Sequence, residues 1–424
     1  MNTAMFNQHL AVTPAQYRAG EALSLQPTGE KPRDILNGFN VSERRFGEDF
    51  DCSSHAAVIK MMMMTFGQEP ADMFERIRPS GNGYEVTMKD EFKVHVSHRE
   101  LQQAARASRF TGPDSRLVDS ANFVFAAFVK RKQHTGGYTG FDAALAKTLQ
   151  GETTLRALQG MGVYGMSRWV PGSEMIGKDV VGVLETHTRG SALVLEGVRH
   201  HQGQQRRVDQ RYGYKLFNDP PPSQRSNFLP PSRARPADIW GGFYQGVEGN
   251  CVTVSAIKAA MMKFGQDPRG IYRQVTATDA GFAVTMRDGF SLHLTHSELL
   301  RAKAASNFRG SDQMLLDHAN FLYAVSAKRA QLENNDYRGR ESFEVAMETL
   351  NDGEYPGQAL RRLGLYAYVR ETDVWELANG AIGTLADYGH SVVVIKGVLD
   401  WYGQKYPLAT SRWMNSGSRA LKLV

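Results

Sequence analysis

One cysteine, one histidine and two side-chain amides in the second half of the chain have the types and order needed to break an acyl or amide bond. Gln245 stands six residues before Cys251 in QGVEGNC, just ahead of a long apolar-patterned segment. A cysteine at the start of a helix gains from the partial positive charge there, which favours its nucleophilic thiolate. A glutamine placed six residues upstream can fold back and donate its amide to a developing oxyanion. His390, in DYGHSVVVI, opens an apolar run that reads as a buried strand. A histidine held there beside a helix N-terminus serves first as base and then as acid to the thiol. Asn415, in WMN, offers an amide to orient the imidazole, as a triad needs, and Asp400 is the alternative orienter.

Such a set requires a helix to present the cysteine and a strand to present the histidine. The sequence spells both, twice. IKMMMMTFGQEPADMFERI, from Ile59, returns as IKAAMMKFGQDPRGIYRQV from Ile257, and YEVTMKDEFKVHVSHREL returns as FAVTMRDGFSLHLTHSEL. A repeat this long marks a duplicated domain. CVTVSAIKAAMMKFG has apolar residues at helical spacing and stops at a glycine, a common C-cap. The methionines Met61 to Met64 fall in the matching helix and read as core filling. Short alternating segments around Lys-Asp and Arg-Asp turns read as strands. Ser97 with Glu100, and Thr295 with Glu298, have capping-box spacing ahead of the next helix. The expected fold class is α+β, with helices first and a strand-rich half after them. Expected organisation is a flexible leader over 1–30, a first domain over 31–222, a Pro/Ser/Arg-rich linker over 223–236 and a second domain over 237–424.

The duplication supplies an internal control. Residues kept in both copies build the fold, and reactive residues kept in one are candidates for chemistry. Ser53 falls opposite Cys251, Cys52 opposite Asn250, and Gly190 opposite His390. The Gln245 position falls on Val41 or Gly47, and Asn218 and Asp219 best match the orienter region. The first copy therefore reads as a degenerate pseudoenzyme kept for binding or regulation. His95 and His98 recur as His293 and His296, which makes them structural, and His200 and His201 read as a solvated turn.

Gln245, Cys251, His390 and Asn415 together resemble the papain-like cysteine peptidases. That family has a glutamine six residues before a nucleophilic cysteine at the start of its central helix. A Gly-His strand follows in the C-terminal half, and then an Asn or Asp. Two details differ. Val252 replaces the aromatic often found after the nucleophile, and Trp413 precedes Asn415 where the family often has a tryptophan after it. The resemblance covers the second copy and, in degenerate form, the first. It implies tandem papain-like domains, each with a central helix packed on an antiparallel sheet. It also implies a protein or peptide substrate, with peptide hydrolysis as the default reaction. Deamidation and transglutaminase-like acyl transfer use the same groups. The competing reading is a non-catalytic protein in which both copies are recognition modules. In layout, a polar leader without a secretory signal resembles bacterial effectors injected into host cells, so the expected location is cytoplasmic or exported by another route.

Bulk properties narrow the remaining classes. The chain has 424 residues, a formal charge of +6 and two cysteines. Two cysteines exclude a disulfide framework and a cysteine-rich zinc module. No basic stripe with interleaved aromatics suggests nucleic acid, and no Gly-Lys-Ser/Thr element suggests a nucleotide. No apolar run reaches the roughly 18 residues needed to span a membrane. Neither a metal nor a cofactor is expected, and the sequence leaves the oligomeric state open.

Overall fold

Each central helix is buried on almost every face, so the rest of its copy must wrap around it. In the first copy this helix is Ser53–Phe66 and in the second Cys251–Phe264. Both end at a glycine with positive φ, Gly67 and Gly265. Met61, Met62 and Met63 are fully buried and Met64 partly so, as core filling requires. The computed structural model describes residues 25–42, 48–186, 190–201, 203–217, 233–415 and 417–424, with the side chain of Asn415 also outside that set. Gly47, Asn218, Asp219, residues 1–24 and linker residues 223–232 lie outside the described residues. The last part of the expected leader is anchored instead of loose. The backbone N–H groups of Thr28 and Gly29 each donate to Asp72 Oδ1 at 2.8 Å.

After the central helix, each copy runs through a three-stranded antiparallel meander, Arg76–Ser80, Gly83–Thr87 and Lys93–Ser97 in the first. Its counterpart is Gln274–Thr278, Gly281–Thr285 and Ser291–Thr295. The predicted capping boxes close the next helices at Ser97 and Thr295. Helices of 21 residues follow, Ser115–Thr135 and Gln313–Glu333. Each copy then completes a six-stranded antiparallel sheet. In the second the order is Val369–Thr372, Arg419–Leu423, Ile382–Ala386, Ser391–Ile395, Val398–Trp401, Gln404–Pro407. The fold is thus mixed α+β, and its sheets are antiparallel. Among the described residues no helix is long and apolar enough to cross a membrane.

Polar pairs retained in both copies hold this framework. Arg131 donates to Asp90 at 2.7 Å and Arg329 to Asp288 at 2.8 Å, all four side chains buried. Ser108 donates to Asn122 at 2.7 Å and Ser306 to Asn320 at 2.6 Å. His95 bonds the Ser80 carbonyl and His293 the Thr278 hydroxyl, while His98 and His296 stand edge-on to Tyr84 and Phe282. All four repeated histidines are thereby occupied in structure.

The copies meet in a near-reciprocal contact. Arg168 of the first stacks on Phe290 of the second at 3.8 Å, and Arg370 of the second on Phe92 of the first at 4.6 Å. One element breaks the reciprocity. Glu91 of the first copy, where the second has Gly289, accepts from Arg273, Arg287 and Tyr368 at 3.3, 3.0 and 2.5 Å.

Candidate functional site

Cys251 is the first residue of the second central helix, and His390 immediately precedes the strand Ser391–Ile395 that packs against it. A hydroxyl pair ties the two elements together, Ser255 Oγ to Ser391 Oγ at 2.8 Å. Gln245, Cys251, His390, Asp400 and Tyr402 line one cavity of about 10 Å³, room for a single water. The sequence-separated trio Gln245, Cys251 and His390 is therefore brought together.

The electrostatics depart from expectation at the thiol. Burial pushes the Cys251 thiol above its ordinary value, although the backbone N–H groups of Ser391, Val252 and Cys251 itself pull the other way. The resting group is the thiol, because desolvation of a thiolate outweighs what the helix start supplies. His390 is shifted down by burial, against the opposing pull of the Asp387 carboxylate. Its ring stacks on Tyr402 at 5.0 Å and meets Trp401 edge-on at 5.1 Å. The resting pair is thus a neutral thiol beside a neutral imidazole. Among the described residues no hydrogen bond joins them.

Two of the sequence-assigned groups already have partners. Gln245 does line the cavity, but its amide already donates to the Glu248 carbonyl at 2.6 Å. Asp400 does not orient the imidazole. Its Oδ2 takes Lys258 Nζ at 2.8 Å and its Oδ1 the Gly403 N–H at 3.0 Å. Burial drives Asp400 up and Lys258 down, each towards neutrality, and their mutual contact pulls both back. The side chain of Asn415 lies outside the described residues, although its backbone belongs to the short helix Arg412–Asn415.

Asp387 is the residue that sequence reasoning passed over. Its Oδ1 accepts the backbone N–H groups of Gly389 and His390, both at 2.9 Å, which fixes the turn that delivers the imidazole. The signal was present, since an aspartate three residues before a histidine at a strand start is a turn former.

In the first copy the corresponding place is built differently. Ser53 Oγ donates to Asp51 Oδ1 at 2.6 Å, and a side chain at Gly190 would meet Ser53 Oγ at 2.4 Å. Ser53 and Gly190 are thus apposed, as the alignment expects. Val41 takes the Gln245 position, because Asn40 pairs with Thr111 as Tyr244 pairs with Arg309, its counterpart. Cys52 is buried, and burial raises its thiol well beyond the ordinary range. His200 and His201 do not form a solvated turn. They close the strand Val198–His201 and line a cleft of about 510 Å³.

Searches of protein-family models, curated proteins and solved structures return no significant match to this chain.

Proposed function

We propose that the second copy is a papain-like thiol enzyme acting on an acyl or amide bond of a protein or peptide. The supporting observation is the shared cavity of Cys251, His390 and Gln245, built from a helix start and a strand start. In this mechanism the Cys251 sulfur bonds to the carbonyl carbon while its proton passes to the His390 ring. The C=O π electrons move onto oxygen, where the N–H at the helix start and the Gln245 amide, released from Glu248, receive them. Collapse breaks the C–N bond, and the leaving amine takes the proton from His390. Water then cleaves the thioester; another amine in its place gives acyl transfer, and a glutamine side chain as substrate gives deamidation. Asp387 positions His390, and Asn415 keeps its proposed role as orienter.

A resting neutral pair makes deprotonation part of the attack, so activity rises as His390 loses its proton, below the ordinary histidine range, and then holds through neutral pH. The second reading, a non-catalytic binding protein, is favoured by the raised Cys251 thiol and the one-water cavity. Iodoacetamide labelling of the native chain separates the two. The enzyme reading expects native labelling of Cys251 to depend on the imidazole, so that His390→Ala slows it, Cys52 to stay unlabelled, and Cys251→Ala to abolish turnover of a peptide-amide library. Native labelling that does not depend on His390, together with no turnover by the parent chain, leaves the binding reading standing.

A further inference from the structure

Lys60 and Lys258 occupy the same turn of the two central helices. Each donates to a backbone carbonyl at 3.2 Å, Leu36 in one and Trp240 in the other, and each lies 5.1 Å from a phenylalanine ring centre. Beyond that they differ. Lys258 completes its shell with the Asp400 carboxylate. The sheet register puts His200 at that place in the first copy: Leu195 pairs with Val198 as Ile395 pairs with Val398. Among the described residues Lys60 bonds no carboxylate; its third contact is the amide oxygen of Asn40, at 2.9 Å. Lys60 is nonetheless only 7% exposed.

The missing carboxylate opens onto space. The imidazole and glutamine that line the second cavity are replaced by Gly190 and Val41, the indole packed on that imidazole by His201, and the first cleft reaches about 510 Å³, within the range of ligand sites. Its other end holds Asp51, beside Ser53. Ser53 and Lys60 are seven residues apart on one helix, about 10 Å along its axis, the span of roughly three extended residues. Asn40, Gln204 and Gln205 add amide groups to the walls.

We propose that the first cleft binds the carboxylate end of a short peptide segment, with Lys60 holding the ligand carboxylate beside His200, which takes the place of Asp400, and Asp51 receiving donor groups at the far end. Burial already pushes the Lys60 amine down to about 8, more than the nearby Asp34 carboxylate restores, and a bound carboxylate opposes that shift further. This site is independent of whether Cys251 is catalytic.

The test is calorimetric titration of the full chain with triglycine, triglycine amide and glutarate, with thermal unfolding alongside. Triglycine is expected to bind saturably and to raise the unfolding midpoint, and its amide to bind about tenfold more weakly or worse. His200→Asp restores the carboxylate seen in the second copy; it is expected to raise the midpoint by itself and to abolish triglycine binding. The proposal fails if triglycine does not bind, if the amide binds equally, or if His200→Asp binds like the parent, which would place the ligand elsewhere. Glutarate binding as tightly as triglycine overturns the peptide assignment in favour of a free small acid.

Discussion

In the second copy His390, with Trp401 packed on its ring, and Tyr402 lie at the start of the central helix, and the cavity shrinks to the size of one water. In the first Gly190 and His201 lie there, and a roomy cleft remains. The backbone register is the same in both. Where the second copy has His390 and Gln245, the first has Gly190 and Val41, and the space is left open with the buried Lys60 among its lining residues. The copy that lacks the Cys251 and His390 side chains is the one with room for a ligand, and on the proposed enzyme reading the other must open before a substrate can enter.

Substitutions at matched positions sharpen this contrast. The largest expected effect is at the central-helix lysines. Lys258→Met strands Asp400 as a buried carboxylate and is expected to cost about 3–5 kcal/mol. Lys60→Met removes a cation without a carboxylate and is expected to cost under about 1 kcal/mol or to stabilise. Urea unfolding of both variants checks the pair, and equal losses break the comparison. Next comes acid. His55 is fully buried with both ring nitrogens unbonded, and burial lowers its value to about 3; the second copy has Thr253 there. The folded value lies below the unfolded one, so the unfolded chain binds more protons between them and stability falls as pH drops through that window. The expected loss is about 3 kcal/mol over two pH units below the ordinary histidine range. His55→Thr should flatten that part of the stability–pH curve, and an unchanged curve refutes the assignment. The smallest effect is at Gly190. A methyl group there must displace Ser53 Oγ, which is already bonded to Asp51. Gly190→Ala is expected to cost about 1–3 kcal/mol, seen as a lowered unfolding midpoint.

Much of the framework was legible because it obeys local rules. Ser97 and Glu100 announce a cap, glycines end the central helices, and alternation marks the meander strands. The convergence of Cys251 and His390 was legible as well, since each lies at the start of its own element. What could not be read were the partners. Gln245 has a backbone carbonyl within reach that no spacing rule reveals, and Asp400 meets Lys258 across 142 positions of chain. His200 and His201 looked solvated because charged neighbours surround them in sequence, whereas strand pairing turns them towards the cleft. The thiol was misjudged for a related reason: a helix start is a local feature, but burial is set by the whole fold.

The contact between copies sets a length scale. Arg287, which grips Glu91 across the contact, also packs on Phe264, the last residue of the second central helix. Lys89, whose carbonyl accepts from Arg273 across the same contact, packs on Phe66, the last residue of the first. Both helices thus end at the junction and begin at their clefts, each about 20 Å away. Among the described residues, those found lining each cleft belong to its own copy. A polypeptide held by both at once must span up to about 40 Å, roughly a dozen extended residues. Should both proposed sites hold one polypeptide, the duplicated chain would act as a caliper that admits long extended segments and not short ones.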